Sequence, residues 1–280
     1  MQPGQASRTA LGAAGHRAAH QVLERGFIFS DPLALRILGP EAEEAVSEAR
    51  LEPRKRGLRL FIAMRARFAE DALAAAIERG ATQLVVLGAG LDTYAYRAPL
   101  DARLRVFEVD HPATQAWKRE QLASAGIAIP GALTFAPVDF EREGLAEGLA
   151  AAGFDPARRS FFTWLGVIPY LSEPAIFGTL AFIAGLPGGA HVTFDYSNPP
   201  ESIADPARRA AHEELAARVA AAGEVFRSHF DTDALHEKLR SLGFREIEDL
   251  GPAGMAARYF PDRPSSASGG GGHILRASTL

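Results

Sequence analysis

QLVVLGAGLDTYAYR, residues 83–97, passes from a short apolar run, Leu84 to Leu87, into the turn Gly88-Ala89-Gly90. Downstream, VFEVD at 106–110 carries two acids, Glu108 and Asp110. Strand, tight glycine turn, helix, strand and acid, in that order, make the unit that holds the adenosine part of a nucleotide-like cofactor in a parallel α/β sheet. Glycine at a strand end lets the backbone turn tightly and approach a ligand closely. The dinucleotide fingerprint needs a third glycine at position 93, where this chain has Thr93. A lone GxG also fits an ordinary strand-to-helix turn. The acid at the end of the next strand is what turns the reading toward a cofactor.

Asp110 lies 20 residues past Gly90, at the expected end of the second strand, where a carboxylate can accept both ribose hydroxyls. Glu108 is two residues back and shares that face if the strand is regular. Either acid also suits a cap for a helix opening at Pro112. His111 follows at the cofactor rim or serves only structure. Asp139 closes TFAPVD, 134–139, where a carboxylate can accept the adenine amino group while Phe140 packs on or near the ring. The alternative for Asp139 is a cap for a helix over 141–152.

The chain has 280 residues, 47% hydrophobic and 23% charged, enough to bury a full core in one α/β domain with additions. A net charge of −4 provides no field toward nucleic acid or an anionic membrane. Without cysteine there is no disulfide, thiolate metal site or cysteine nucleophile. The opening stretch MQPGQASRTALGAAGHRAAH lacks the apolar core of a secretory signal, and no run of about 18 apolar residues suggests a membrane span. A cytoplasmic monomer or homodimer is expected, with a small molecule as its partner.

Residues 7–80 read as helical, so 1–80 is expected to form an N-terminal helical cap preceding a sheet domain over 81–280, the two as a single compact unit. The segment 8–24 is Ala-rich, Ser30-Asp31-Pro32 suits a helix start with Pro32 in first position, and a third helix runs over 56–79. Strands are expected at 83–88, 104–109, 133–138, 160–165, 190–196, 244–249 and 273–278. Helices are expected at 92–97, 112–125, 141–152, 173–185 and 232–242. That alternation predicts a mostly parallel sheet. The last two strands are joined by a stretch with Pro261, Pro264 and Gly269 to Gly272 and no helical pattern, so this pair should be antiparallel. The glycine run reads as a loop tip. The segment 199–230 is an extra helical insertion after the fifth strand, placed to act as a lid or substrate wall, or to lie as a solvated helix on the sheet.

Arg65 falls on the apolar seam of 56–79 with Leu58, Phe61, Ile62, Phe68, Ala69 and Ala72. A guanidinium cannot shed its charge on an apolar face and wants a carboxylate in a bidentate pose. S-adenosylmethionine carries one and a nicotinamide dinucleotide does not; a protein ion pair or a snorkelling side chain is the alternative. Arg54, Lys55, Arg56 and Arg59 read as a solvated face. His16, His20, His191, His212, His229, His236 and His273 show no metal-ligand spacing supported by acids, so no metal is expected. Ser197 has no nucleophile elbow, and Asp195-Tyr196 at the end of the fifth strand is a candidate to face substrate.

LGAGLDTYAYR, VFEVDHPATQAWK, WLGVIPYL and the N-terminal SRTALGAAGHRAAH with FSDPLAL occur together and in order. With them the chain resembles the leucine carboxyl methyltransferase-like family, which is similar to protein phosphatase carboxyl methyltransferases and bacterial polyketide O-methyltransferases. The resemblance covers roughly residues 7–196, with a looser echo in ARYFPDR. It implies a class I Rossmann-like fold, with a seven-stranded mostly parallel sheet ending in an antiparallel pair, and S-adenosylmethionine as methyl donor. By position it implies Arg65 at the methionine carboxylate, the Gly88-Ala89-Gly90 turn along methionine and ribose, Asp110 at ribose, and Asp139 with Phe140 at adenine. At Leu165 phosphatase-directed members carry a glutamate that contacts the cofactor amino group; here a backbone carbonyl or another acid must replace it, or binding is weaker. Members also often carry arginine at the position of Tyr94.

Methyl transfer is an in-line displacement at an already activated sulfonium, so the protein mainly aligns the acceptor and excludes water. A carboxylate acceptor needs no base; a phenol or alcohol usually does. No base is evident, and no catalytic residue is assigned; Tyr170 and Tyr196 are candidates for orienting substrate. The expected activity is O-methylation of a carboxylate or hydroxyl on a small metabolite, of polyketide or other secondary type. The alternatives are a non-catalytic S-adenosylmethionine-binding protein, which the loss at Leu165 would suit, and a nicotinamide oxidoreductase, which Thr93 and Arg65 argue against.

Overall fold

The structure, a computed structural model, describes residues 8–99, 103–140, 142–221, 223–262 and 270–280. The strands are β1 (Gln83–Leu87), β2 (Arg105–Asp110), β3 (Leu133–Pro137), β4 (Ser160–Trp164), β5 (Ala190–Ser197), β6 (Glu246–Leu250) and β7 (Gly272–Ser278). They form one sheet in the order β3-β2-β1-β4-β5-β7-β6. β2 pairs in parallel with β1 and with β3, and β4 pairs in parallel with β5. β7 is antiparallel to both its neighbours, β5 and β6. The strand pattern predicts this mostly parallel sheet with an antiparallel last pair, and the resemblance implies the same seven-stranded arrangement.

The helices are α1 (Arg8–Leu23), α2 (Ala34–Leu38), α3 (Glu41–Leu51), α4 (Arg56–Glu78), α5 (Tyr94–Arg97), α6 (Pro112–Ser124), α7 (Leu145–Ala151), α8 (Glu173–Ala184), α9 (Pro206–Ala221), α10 (Thr232–Leu242) and α11 (Pro252–Tyr259). Four expectations need correction. The helix expected from Pro32 begins at Ala34, because Asp31 first closes a turn: its carboxylate accepts from the Leu33 N–H at 3.0 Å and its carbonyl from the Ala34 N–H at 3.2 Å. The helix expected over 141–152 starts only at Leu145. Between β6 and β7 stands α11, with Pro252 preset for its first turn and Met255 buried. Pro264 and Gly269 lie outside the described residues. Gly270 and Gly271 are packed rather than a loop tip: an added Cβ would come within 2.7 Å of Ser202 Oγ at the first and 2.8 Å of Pro252 Cγ at the second.

By contact the chain divides into residues up to Glu70 with Thr82–Phe154, and Asp71–Ala81 with Asp155–Leu280, a division other than the one expected at residue 80. In the first unit α1 packs on α2 and α3 through small residues. A Cβ on Gly15 would meet Ala45 Cβ at 3.2 Å, and Ala14 and Ala18 are buried with Ile37, Leu38 and Leu122. Arg59 does not join a solvated face. It is buried and gives a two-pronged pair to Glu24, at 2.8 and 2.7 Å, as a desolvated guanidinium requires.

The strongest anchor of this unit is Asp31, whose side chain is 0% exposed. It takes Arg17 Nε at 3.2 Å and the Thr93 hydroxyl at 2.7 Å, with Arg97 Nε at 3.6 Å. Arg17 also donates to the Leu91 carbonyl at 2.6 Å, and Arg97 reaches Glu70 with both terminal nitrogens. The N-terminal helices are thereby locked to the segment that follows the glycine turn. Thr93 stands where a dinucleotide site would have glycine because its hydroxyl is needed here.

In the second unit α10 is capped at both ends, by Asp231 and by Gly243 at φ 110°, and buries Leu235 and Leu239. His191, 8% exposed at the start of β5, packs on Phe161 and lines a cavity of about 90 Å3 with Ala72, Ala76 and Ala277. Burial, with Arg79 adding to it, pushes the imidazole down to about 4.

Replacing Asp31 with Ala should cost about 3–5 kcal/mol in urea denaturation, because two buried guanidinium groups lose their shared partner. His191 predicts a pH effect of opposite origin. The unfolded ring takes its proton near 6.5 and the folded one only near 4, so its stabilisation is present above 6.5 and is lost as pH falls through that window. His191→Phe should remove up to about 3 kcal/mol of that acid slope.

Candidate functional site

At the carboxyl end of β1 the backbone turns through Gly88 at φ 65° and Gly90 at φ 44°, a region costly for a side-chain-bearing residue. The Gly88 and Ala89 N–H groups both bond the Val109 carbonyl of β2, at 2.8 and 3.1 Å. Asp110 closes the arrangement. Its Oδ2 accepts from the Gly90 N–H at 2.5 Å and its Oδ1 from the His111 N–H at 2.7 Å. Each carboxylate oxygen keeps a further lone pair for a ligand hydroxyl. Burial raises the Asp110 carboxyl above its ordinary value, opposed by the two backbone donors. Gly90 also serves packing, since a Cβ there would lie 3.0 Å from Ala10 Cβ on α1.

The cap of α6 is His111, not either acid. Its Nδ1 accepts from the Ala113 N–H at 3.2 Å. Its Nε2 lies 4.0 Å from Asp139 Oδ2, which brings the segment after β3 beside the end of β2. Asp139 is not a helix cap, because α7 starts six residues on behind Gly144. Half-buried Phe140 follows it. The fold thus gathers Gly88, Ala89, Gly90, Asp110, His111 and Asp139 at the ends of β1, β2 and β3. Arg65 is half-buried on α4, 6.0 Å from the centre of the Phe61 ring.

Glu108 sits differently from Asp110 despite the shared strand face. It is 1% exposed, with its Oε2 2.7 Å from Lys118 Nζ and 3.0 Å from the Tyr96 hydroxyl. Burial pushes its carboxyl up to about 7, against the pull of Lys118. The buried lysine on α6 claims this acid, so it is not presented as a ligand carboxylate. Tyr94, at the position of the family arginine, has its phenol pushed up to about 12 by burial and by Glu70.

In the second unit Leu165 is half-buried just past β4. An acid stands at the next residue: Asp195 accepts from the Gly166 N–H at 2.6 Å. Tyr170 lies 5.4 Å from Phe226 of the insertion, and the Pro169 carbonyl takes the Arg227 N–H at 2.7 Å. Phe226 in turn packs with His212 and His229, which lie 5.5 Å apart. Burial lowers both imidazoles, and His229 lowers His212 further. Tyr196 does not face a substrate. It is 2% exposed, and its hydroxyl is taken by Asp249, Thr232 and His273.

Sequence reasoning missed Arg17, Asp31, Thr93 and Arg97 as a set, although all four lie in the quoted motifs and Arg17 lacks an acid at helical spacing. It also missed the pairing of His212 with His229, which depends on how the insertion folds back. Among the described residues no cluster of His, Asp or Glu could hold a metal, and no helix is long and apolar enough to cross a membrane.

A family model described as leucine carboxyl methyltransferase matches residues 10–184. YktD of Bacillus subtilis (strain 168), whose name assigns it as an S-adenosyl-L-methionine-dependent methyltransferase, is 34% identical over 73% of this chain and 67% of its own length. A protein of Mycolicibacterium paratuberculosis (strain ATCC BAA-968 / K-10) with the same assignment is 34% identical over 60% of this chain, which spans 56% of that relative. Among solved structures, an O-methyltransferase family protein from Burkholderia thailandensis aligns with a TM-score of 0.46 at 14% identity, covering 94% of this chain and 71% of the other.

Lys118→Met should destabilise the fold by about 3–5 kcal/mol in urea, because it leaves the Glu108 carboxylate buried without its cation. In the double variant Lys118→Met with Glu108→Gln, most of that loss should be recovered.

Proposed function

Because this chain belongs to the leucine carboxyl methyltransferase family of S-adenosylmethionine-dependent methyltransferases, we propose that it methylates an oxygen, carboxylate or hydroxyl, of a small metabolite. The observation that carries the cofactor reading is Asp110. One carboxylate pins the positive-φ turn through the Gly90 N–H and still offers lone pairs at the end of β2. The donor set fits an adenosyl ligand: an acceptor for ribose hydroxyls at Asp110, an acceptor for an amino group at Asp139, and an aromatic ring at Phe140. Arg65 is proposed for the methionine carboxylate. Asp195, on the Gly166 N–H, is proposed to replace the family glutamate at Leu165.

When bound, S-adenosylmethionine supplies a methyl group on a sulfonium. The chain's own part is to orient and to manage a proton. A carboxylate acceptor needs only alignment. A hydroxyl acceptor must also lose its proton, and within the second unit His212 and His229 are imidazoles that burial lowers toward the neutral form. Their packing with Phe226 and Tyr170 supports a flat, aromatic acceptor of the polyketide type.

Calorimetric titration with S-adenosylhomocysteine should give micromolar affinity, about −8 kcal/mol. Asp110→Ala and Arg65→Ala should each weaken it at least tenfold while the far-ultraviolet circular dichroism stays native. Absence of binding by folded wild type would withdraw the methyltransferase proposal.

A further inference from the structure

On the sheet face that carries His191, two buried polar side chains lack partners, and the His191 ring lines a cavity. We infer that this cavity is a second ligand site, which takes a short aliphatic carboxylate, its oxygens on Arg79 and the His191 imidazole and its alkyl part on the alanines beside them. The site lies wholly within the second unit and does not rest on the methyl-transfer reading.

Strand register sets what shares this face. Phe161, His191, Ser278 and Glu246 stand opposite one another across β4, β5, β7 and β6. The next row on the same face runs through Thr193, Arg276 and Glu248. His191 is 8% exposed and Thr193 0%. Among the described residues neither His191 Nε2 nor Thr193 Oγ1 has a hydrogen-bond partner. Native folds pair nearly all such groups, within the protein or with a bound molecule. The cavity of about 90 Å3 has room for about three water molecules at ~30 Å3 each. That suits a molecule the size of acetate or propionate.

The lining selects the chemistry. Ala72, Ala76, Phe161 and Ala277 are buried and apolar, and a short alkyl group matches them where a bare inorganic anion does not. The charges acting on the imidazole are Arg79, Arg159 and Arg276, opposed by Glu246. Glu248, the other acid at the cavity, is already taken by Arg276 and Arg258. Glu246 meets Arg79 only at 3.8 Å, with both side chains more than half in solvent, and such a pair contributes little. Cations therefore outnumber the acids left to answer them, and Arg79 can turn to a ligand carboxylate at small cost. Burial and these arginines keep the imidazole neutral at neutral pH, and a neutral ring still offers one N–H to a second oxygen. Bonds to an ionised carboxylate are stronger than bonds to a neutral amide of the same shape, so charge and alkyl group are both read.

The test is amide and histidine-ring NMR on the full chain at neutral pH, titrated with sodium propionate at constant ionic strength. Propionate should shift the His191 ring and the amides of Arg276, Ala277 and Ser278 in one saturable step in the millimolar range. Propionamide has the shape without the charge, and inorganic phosphate has the charge without the alkyl part. Each should bind there about tenfold or more weakly than propionate. Arg79→Gln, at an exposed position, should keep the native spectrum and weaken propionate about tenfold or more. No saturable shift at His191, equal binding of propionamide, phosphate as tight as propionate, or undiminished binding by Arg79→Gln would each overturn the assignment. Should Arg79→Gln lose its native spectrum, the three ligands on the wild type decide alone.

Discussion

A carboxylate with 0% exposure holds the N-terminal half together. Asp31 is stable in its charged form only because Arg17, Arg97, Thr93 and a backbone N–H converge on it. Leaving such a charge unpaired costs several kcal/mol, so the three segments have one acceptable arrangement rather than many. Arg17 comes from α1, Asp31 from the entry to α2, and Thr93 and Arg97 from the stretch after the glycine turn. The turn is thereby placed by the same contacts that dock the helices, and Glu70 on α4 extends the chain of pairs.

The two acids of β2 follow the same rule with different outcomes. Glu108 is deep enough to need a cation and takes Lys118. Asp110, the last residue of the strand, is held there by two backbone N–H groups instead, while Glu108 stays buried beside Lys118. In the second unit the same economy appears at Asn198, whose amide is committed on every side, and at the His273–Asp249 pair behind it.

Much of the fold was legible because its signals are local. Apolar runs at βαβ spacing, glycine at the end of the first run and Pro112 at a helix start each act over a few residues. The seven strands accordingly fall within two residues of their expected bounds. The misread elements are those where a distant partner intervenes. Asp31 looked like a helix cap because the two arginines it also serves lie elsewhere in the chain. Arg59 looked solvated because Glu24 lies 35 residues away. Gly270 and Gly271 looked loose because Ser202 and Pro252 pack on them only after folding.

Periodicity and short-range sterics were enough to place the parallel sheet with its reversed last strand, the glycine turn and the acid that serves it. The motif set likewise led to the family to which the chain belongs. Only the folded chain shows which acid takes the buried lysine, what the threonine at 93 bonds, that the Tyr196 hydroxyl is committed to Asp249, and that His212 meets His229. Each of those outcomes turns on burial and on partners brought together across long stretches of chain, and neither the cost of desolvating a charge nor the identity of its partner is written in local spacing.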